Sequence, residues 1–192
     1  MIKSTLTIAL LIGTYLTSLS QSTGFSSGLT SYANWSIANQ DAVWQKAFSS
    51  STKDKEVLKN SLIVFLKKNE NIQNIGERNF KITADLIKLK VDYKKYGGST
   101  RYTSPVFVNG LWTGKIAIQI LDNAYVTKVD QLSFDVERKG LNAGEGINGL
   151  NDGQGQWNAL LLNKDKKSFK DGRRLDMDLL NKVLIDIFDL KK

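Results

Sequence analysis

Hydrophobic and polar positions alternate along the middle of the chain in the pattern of β-strands. In residues 87–94, Ile, Leu, Val and Tyr alternate with Lys and Asp, the period of a strand with one face buried. Residues 80–86 alternate in the opposite phase, so a bulge at the junction is needed to keep both apolar sets inside. Residues 114–129 predict two strands joined through Asp122 and Asn123, residue types that tolerate a tight hairpin.

Two segments instead show the spacing of amphipathic helices. Residues 54–68 begin after Ser and Thr caps, and the final segment carries apolar side chains at i, i+3, i+4, i+7 and i+8 from Leu180. Shorter strands are predicted at residues 42–48, at or after Pro105, and around residues 157–162. The order predicts an α+β fold: an antiparallel sheet of about five to seven strands, with an N-terminal-half helix and a C-terminal helix on one face.

The first twenty residues have the three parts of a secretory signal peptide. A short positive start precedes an apolar run, and Ser18 and Ser20 occupy the small-residue positions of a cleavage site. We therefore expect cleavage after Ser20 and a periplasmic or secreted protein without a transmembrane segment. The alternative is an uncleaved membrane anchor, for which the apolar run is short, because a spanning helix needs about 20 apolar residues.

The rest of the chain divides into two parts by composition. Residues 21–41 are rich in Ser, Gly, Thr and Asn without a visible period, which predicts a flexible lead-in that Trp35 would pin. Residues 42–192 are long enough for a single α+β domain. Within that domain, residues 139–156 predict a Gly-rich loop.

The composition removes several mechanisms, because the chain has no histidine and no cysteine. It cannot form a Ser-His-Asp triad, a thiolate nucleophile or an ordinary zinc site. Carboxylate chemistry, a Ser-Lys pair or a role without catalysis remain. We expect no cofactor and no metal site.

The stretch GEGING, Gly144 to Gly149, has the G-x-G-x-x-G spacing of a dinucleotide-binding turn. Such a turn must open a helix within a βαβ unit. Here Gly149 is followed by LNDGQGQ, which disfavours a helix, and the preceding strands form a meander. A surface loop without a nucleotide is the better interpretation, and a calcium loop is a weaker rival because few carboxylates are present.

A net charge of +8 favours an anionic partner. Lysines alternate along the predicted strand at residues 87–94, with further basic and aromatic side chains nearby. The candidate binding residues are Lys88, Lys90, Lys94, Lys95, Tyr96, Arg101 and Tyr102. A second basic cluster lies in residues 164–174. The competing interpretation is a solvated face, because exposed lysines also protect strands from aggregation.

Three functional hypotheses follow. The first is an exported, non-enzymatic binding or accessory module that recognises an envelope protein or an anionic polymer. The second is a carboxylate-dependent, glycan-active enzyme, which needs two carboxylates about 5 to 10 Å apart. The third is a structural envelope or matrix protein. The carboxylates available to the second hypothesis show no recognisable spacing; they are Asp85, Asp92, Asp122, Asp130, Asp135, Glu137 and Glu145.

Three stretches also resemble a known family: VWQKAF, the helix KEVLKNSLIVFL, and GKIAIQILDNAYVTKVDQLSF with its Asp122, Asn123 and Tyr125 hairpin. They are similar to an exported bacterial domain of unknown function with a TATA-binding-protein-like fold. The similarity covers about Val43 to Val136 and the position of the final helix. It implies the α+β fold and supplies no catalytic residues, and a fold does not by itself carry a function such as DNA binding.

Overall fold

The computed structural model of the chain describes residues 29–99, 101–136 and 154–191. The strands are β1 (Ser31–Tyr32), β2 (Trp35–Ala38), β3 (Asp41–Ser49), β4 (Ile72–Arg78), β5 (Lys81–Lys90), β6 (Gly110–Leu121), β7 (Ala124–Val136) and β8 (Gln154–Gln156). The helices are α1 (Lys55–Lys67), α2 (Pro105–Asn109), α3 (Trp157–Leu161) and α4 (Arg174–Phe188), with a 3-10 turn at Asp171–Arg173.

The eight strands formed by the described residues belong to one antiparallel sheet. Their order is β1-β2-β3-β7-β6-β5-β4, and β8 pairs with the end of β7 that extends past β3. The predicted α+β architecture is confirmed. The sheet has more strands than predicted because β1 and β8 have only two and three residues, too few to show a period.

The hydrophobic core lies on one face of the sheet, under α1 and α4. Along β6 and β7, buried residues alternate with half-buried or exposed residues, as expected when one sheet face is more covered than the other. Leu58, Leu62 and Leu66 line the buried side of α1 at helical spacing, and Phe188 of α4 belongs to the same core cluster.

Polar contacts fix the position of α4. The Trp35 indole Nε1 donates to the Met177 carbonyl oxygen at 3.0 Å. Asn181 Oδ1 accepts two hydrogen bonds, from Trp44 Nε1 at 2.9 Å and from Asn34 Nδ2 at 2.8 Å. One amide side chain of the helix therefore connects the segment before β3 with β3 itself.

These contacts correct the interpretation of residues 21–41 as a flexible lead-in. From Leu29 onward the segment is part of the fold: Leu29 bridges Phe169, and β1 and β2 extend the sheet beside β3. Trp35 is buried. This agrees with the prediction that Trp35 pins the segment, whereas the predicted flexibility of residues 29–41 is wrong.

Three local predictions are also wrong. Pro105 begins α2 instead of a strand, because proline lacks an N–H that the first helical position would leave unbonded. Residues 157–161 form α3, a single turn too short for periodicity to distinguish it from a strand. Strand β5 ends at Lys90, so Tyr93 lies in the following turn.

The predicted bulge and hairpin are present. The pairing of β5 with β6 shifts between Leu86 and Leu89, where Lys88 has a φ of 51°. Asn123 takes a φ of 59° between β6 and β7. The predicted signal peptide, the GEGING stretch and most of the loop at 139–156 lie outside the described residues, although residues 154–156 of that loop form β8.

Candidate binding groove

A compact loop follows β5 and is closed by its own hydrogen bonds. The Gly98 amide donates to the Tyr93 carbonyl at 2.8 Å, and the Thr103 amide donates to the Ser99 carbonyl at 2.8 Å. A Cβ on Gly98 would lie 2.7 Å from Thr103 Oγ1 and 2.9 Å from the Tyr93 carbonyl oxygen, so only glycine fits there. These contacts define the backbone on either side of residue 100.

The first half of α4 faces this loop. Leu175, Asp178 and Lys182 lie at i, i+3 and i+7 and so share one side of the helix. Leu179 lies beside them and is buried. The exposed side of the helix thus presents an apolar, an acidic and a basic side chain in sequence.

Loop and helix enclose a groove of about 210 Å³, which we call the helix–loop groove. Its lining residues are Tyr96, Gly97, Gly98, Ser99, Tyr102, Thr103, Leu175, Asp176, Asp178, Leu179 and Lys182. Tyr102 and Leu175 are 72% and 71% exposed, the highest values among the large exposed hydrophobic residues that the structure describes. Two exposed apolar side chains therefore belong to one groove.

A carboxylate on α4 holds the loop against the helix. Asp186 Oδ2 accepts from Lys95 Nζ at 2.6 Å and from the Tyr96 hydroxyl at 2.6 Å. Lys182 Nζ donates to the Tyr96 carbonyl oxygen at 3.3 Å. These contacts from two turns of the helix connect the loop to α4.

Both carboxylates that line the groove already have partners. Asp176 is buried, and burial raises the pKa of its carboxyl while Arg173, at 3.1 Å, opposes that rise. Asp178 Oδ2 accepts from the Tyr32 hydroxyl at 2.8 Å, and this bond raises the pKa of Tyr32. Strand β1 therefore supports the back of the groove.

The predicted lysine face is not one face of a strand. Lys88, Lys90 and Lys94 are exposed. However, Lys88 has left-handed backbone in the bulge, and Lys94 lies in the turn beyond the end of β5. The three ammonium groups would share one face only if the strand alternation ran unbroken from Lys88 to Lys94. The bulge at Lys88 and the end of β5 at Lys90 interrupt it.

The other four predicted residues lie at or beside the groove. Tyr96 and Tyr102 line it. Lys95 pairs with Asp186 and lies over the Tyr96 ring at 5.1 Å. The Arg101 guanidinium lies over the Tyr102 ring at 5.4 Å, a cation–π distance.

Two of the carboxylates considered for catalysis meet on the open face of the sheet. Asp85 and Asp130 line a depression of about 340 Å³ on either side of Lys115. Hydrogen bonds from Asn74 and Lys115 lower the pKa of Asp85, and Asp130 is paired with Lys128 at 2.7 Å. A glycosidase needs a carboxylic acid with a raised pKa, which this arrangement does not provide at Asp85.

Within the described ranges, no three His, Cys, Asp or Glu side chains come together as a metal-binding group. None of the described helices has the length and apolar character needed to cross a membrane.

Sequence patterns alone missed the helix side of the groove. Leu175 precedes the apolar stripe of α4 and looks like a variation at the helix start, while Lys182 looks like a solvated polar position. Leu175 stands between Arg174 and Asp176, and a single leucine among charged residues does not by itself indicate a site.

The chain matches no family model and no curated protein at the level of sequence. Its backbone does resemble solved structures. A TBP-like protein from Parabacteroides distasonis superposes with a TM-score of 0.52 at 12% identity, covering 80% of this chain and 94% of that one.

The chain has a TBP-like fold. A DUF4468 family protein from Bacteroides ovatus is also similar, with a TM-score of 0.47, 11% identity, and 82% and 90% of the two chains covered. The similarity to the Parabacteroides distasonis structure confirms the TBP-like fold that the sequence resemblance implied, and function must be inferred from the site.

Proposed function

We propose that the mature protein is an exported, non-enzymatic binding or accessory module that recognises an envelope protein through the helix–loop groove. The observation that carries this proposal is the position of Tyr102 and Leu175, 72% and 71% exposed on one preformed groove. Exposed aromatic and aliphatic side chains around a small pocket are typical of protein interfaces.

The size of the groove favours a side chain of a partner protein over a cofactor. Pockets for drug-sized ligands and cofactors measure about 300 to 1,000 Å³, whereas this groove has about 210 Å³. One large apolar side chain fits such a volume. An anchor of this kind commonly supplies much of the binding energy of an interface.

The charges at the groove define the residues beside that anchor. The lining carboxylates Asp176 and Asp178 are satisfied by Arg173 and Tyr32. Lys182 lines the groove, and Arg101 lies over the Tyr102 ring. Both side chains are cationic and can donate hydrogen bonds to an anionic group. We therefore expect the partner to present an apolar anchor residue with a carboxylate beside it.

The export part of the proposal depends on the N-terminal sequence. The positive start, the apolar run and the small residues before Gln21 support entry into the secretory pathway. After export, envelope proteins are accessible to the mature chain as partners.

Site-specific photo-crosslinking in the producing cell tests the groove. A photoreactive residue placed at Leu175 should give a discrete adduct with one envelope protein. The matched control places the same residue at Val64, which is 56% exposed on α1. Adding Tyr102→Ala should strongly weaken the Leu175 adduct, because truncating an anchor residue of an interface costs about 2 kcal/mol or more, roughly 30-fold in affinity.

Equal adducts from the two positions would contradict the proposal, since the groove would then be no more reactive than an ordinary exposed site. An adduct at Leu175 that persists at full intensity after Tyr102→Ala would contradict it as well. The partner identified in the adduct should also bind the isolated protein when both are purified. Direct binding would distinguish specific recognition from crosslinking between neighbours that do not interact.

A further inference from the structure

A second surface, on the turn that precedes α4, carries an unusual density of positive charge. Residues 163–174 read NKDKKSFKDGRR, with six basic and two acidic side chains. Lys164, Lys166 and Lys167 are exposed. We call these three residues the lysine turn.

The remaining basic residues of this segment are engaged within the protein. Lys170 Nζ donates to the Ala159 carbonyl oxygen at 2.7 Å, and burial lowers the pKa of this lysine. Arg173 pairs with Asp176 at 3.1 Å, and the Arg174 guanidinium lies over the Tyr32 ring at 6.0 Å. The lysine turn therefore presents three exposed ammonium groups around the exposed carboxylate of Asp165, and Arg174 is the other fully exposed basic residue of the segment.

The backbone of the turn is closed and anchored. The Asn163 amide donates to the Ser168 carbonyl at 2.9 Å, and Asn163 Nδ2 donates to Ser168 Oγ at 2.7 Å. Lys166 adopts a φ of 55°, and buried Phe169 donates its amide to the Leu29 carbonyl at 2.8 Å. Three ammonium groups are thus presented from a fixed support, which reduces the entropy lost on binding.

We propose that the lysine turn binds an acidic polysaccharide, through several ammonium groups acting on successive anionic groups of the polymer. The flanking apolar residues Leu162 and Phe169 are 3% and 1% exposed, so they are not available to insert into a bilayer. The turn itself has no aromatic ring for stacking on nucleic-acid bases. This surface and its ligand are independent of the helix–loop groove.

The test compares two variants with the same change in charge. K164Q/K166Q/K167Q removes the lysine turn, and K88Q/K90Q/K94Q removes three exposed lysines elsewhere. Retention of the mature protein on immobilised heparin, a sulfated polysaccharide, is measured as a function of salt. Circular dichroism verifies the fold of both variants.

Loss of the lysine turn should lower the salt needed for elution. The slope of log affinity against log salt should fall by about 2, if each ammonium releases counterions as it does on a single-stranded nucleic acid. K88Q/K90Q/K94Q should stay close to wild type.

Equal elution of wild type and K164Q/K166Q/K167Q would overturn the proposal, as would equal losses in the two triple variants, which would indicate net charge alone. Two further arms measure binding to vesicles containing an anionic phospholipid and to single-stranded DNA. Binding to either that exceeds heparin binding and depends on the lysine turn would assign the surface to that ligand and overturn the polysaccharide proposal.

Discussion

Replacing Asn181 with alanine should loosen the contact between α4 and the segment that precedes β3. Its Oδ1 accepts from Trp44 Nε1 at 2.9 Å and from Asn34 Nδ2 at 2.8 Å. Trp44 is 0% exposed, so its indole N–H would lose its partner inside the core, at a cost of about 1 to 3 kcal/mol. Asn34 is half-buried and can rehydrate, which adds less.

The helix itself gains up to about 0.7 kcal/mol from alanine, so the net loss should be about 1 to 3 kcal/mol. With a urea dependence of about 2 kcal/mol per molar, the unfolding midpoint should fall by about 0.5 to 1.5 M. Asn181→Asp keeps the accepting oxygen and should lose less. Lys182→Ala, at an exposed neighbour, should stay near wild type. If Asn181→Ala and Lys182→Ala had the same midpoint, the hydrogen bonds of Asn181 would not stabilise this contact.

Phe188→Ala should cost about 3 to 5 kcal/mol in urea unfolding, because Phe188 is 1% exposed with its ring 6.0 Å from that of Trp44; an unchanged midpoint would exclude this packing. Burial raises the pKa of Tyr125 from 10.0 to about 12, so its contribution to stability is complete below pH 10 and is lost as the pH rises towards 12. Unfolding measured from pH 9 to 12 should therefore show a shallower decline for Tyr125→Phe than for wild type, and parallel declines would refute this. Intact mass spectrometry of the exported protein should find Gln21 as the first residue, and retention of Met1 would refute signal cleavage. Gly146→Ala with Gly149→Ala should leave stability nearly unchanged, and saturable dinucleotide binding lost in that variant would contradict the loop interpretation.

Elements with a long hydrophobic period were predictable from sequence, whereas those held by single side chains were not. The long strands β6 and β7 and the helices α1 and α4 each contain enough residues to show alternation or helical spacing. The segment around Trp35 shows neither, and its place in the sheet depends on one buried indole and on the amide of Asn181. Such long-range partners cannot be read from local patterns.

The candidate site was predictable in part for the same reason. The sequence indicates Tyr96 and Tyr102 as aromatic neighbours of a predicted lysine-rich strand. The structure places them instead on a groove whose other wall, with Leu175 and Lys182, comes from the end of the chain. Strand β5 ends at Lys90, and the loop that follows turns towards α4. Lys88 and Lys90 therefore do not share a face with Tyr96 and Tyr102.

The central claim is that the helix–loop groove recognises an envelope protein. Quantitative affinity capture of the mature protein from its own cell envelope tests it most directly, using wild type, Tyr102→Ala/Leu175→Ser, and Val57→Ser/Val64→Ser. The control pair also removes two exposed apolar side chains, 51% and 56% exposed on α1. We expect one envelope protein to be enriched by wild type and by the control pair and to be lost with the groove variant. Enrichment of the same proteins in equal amounts by all three would contradict the claim.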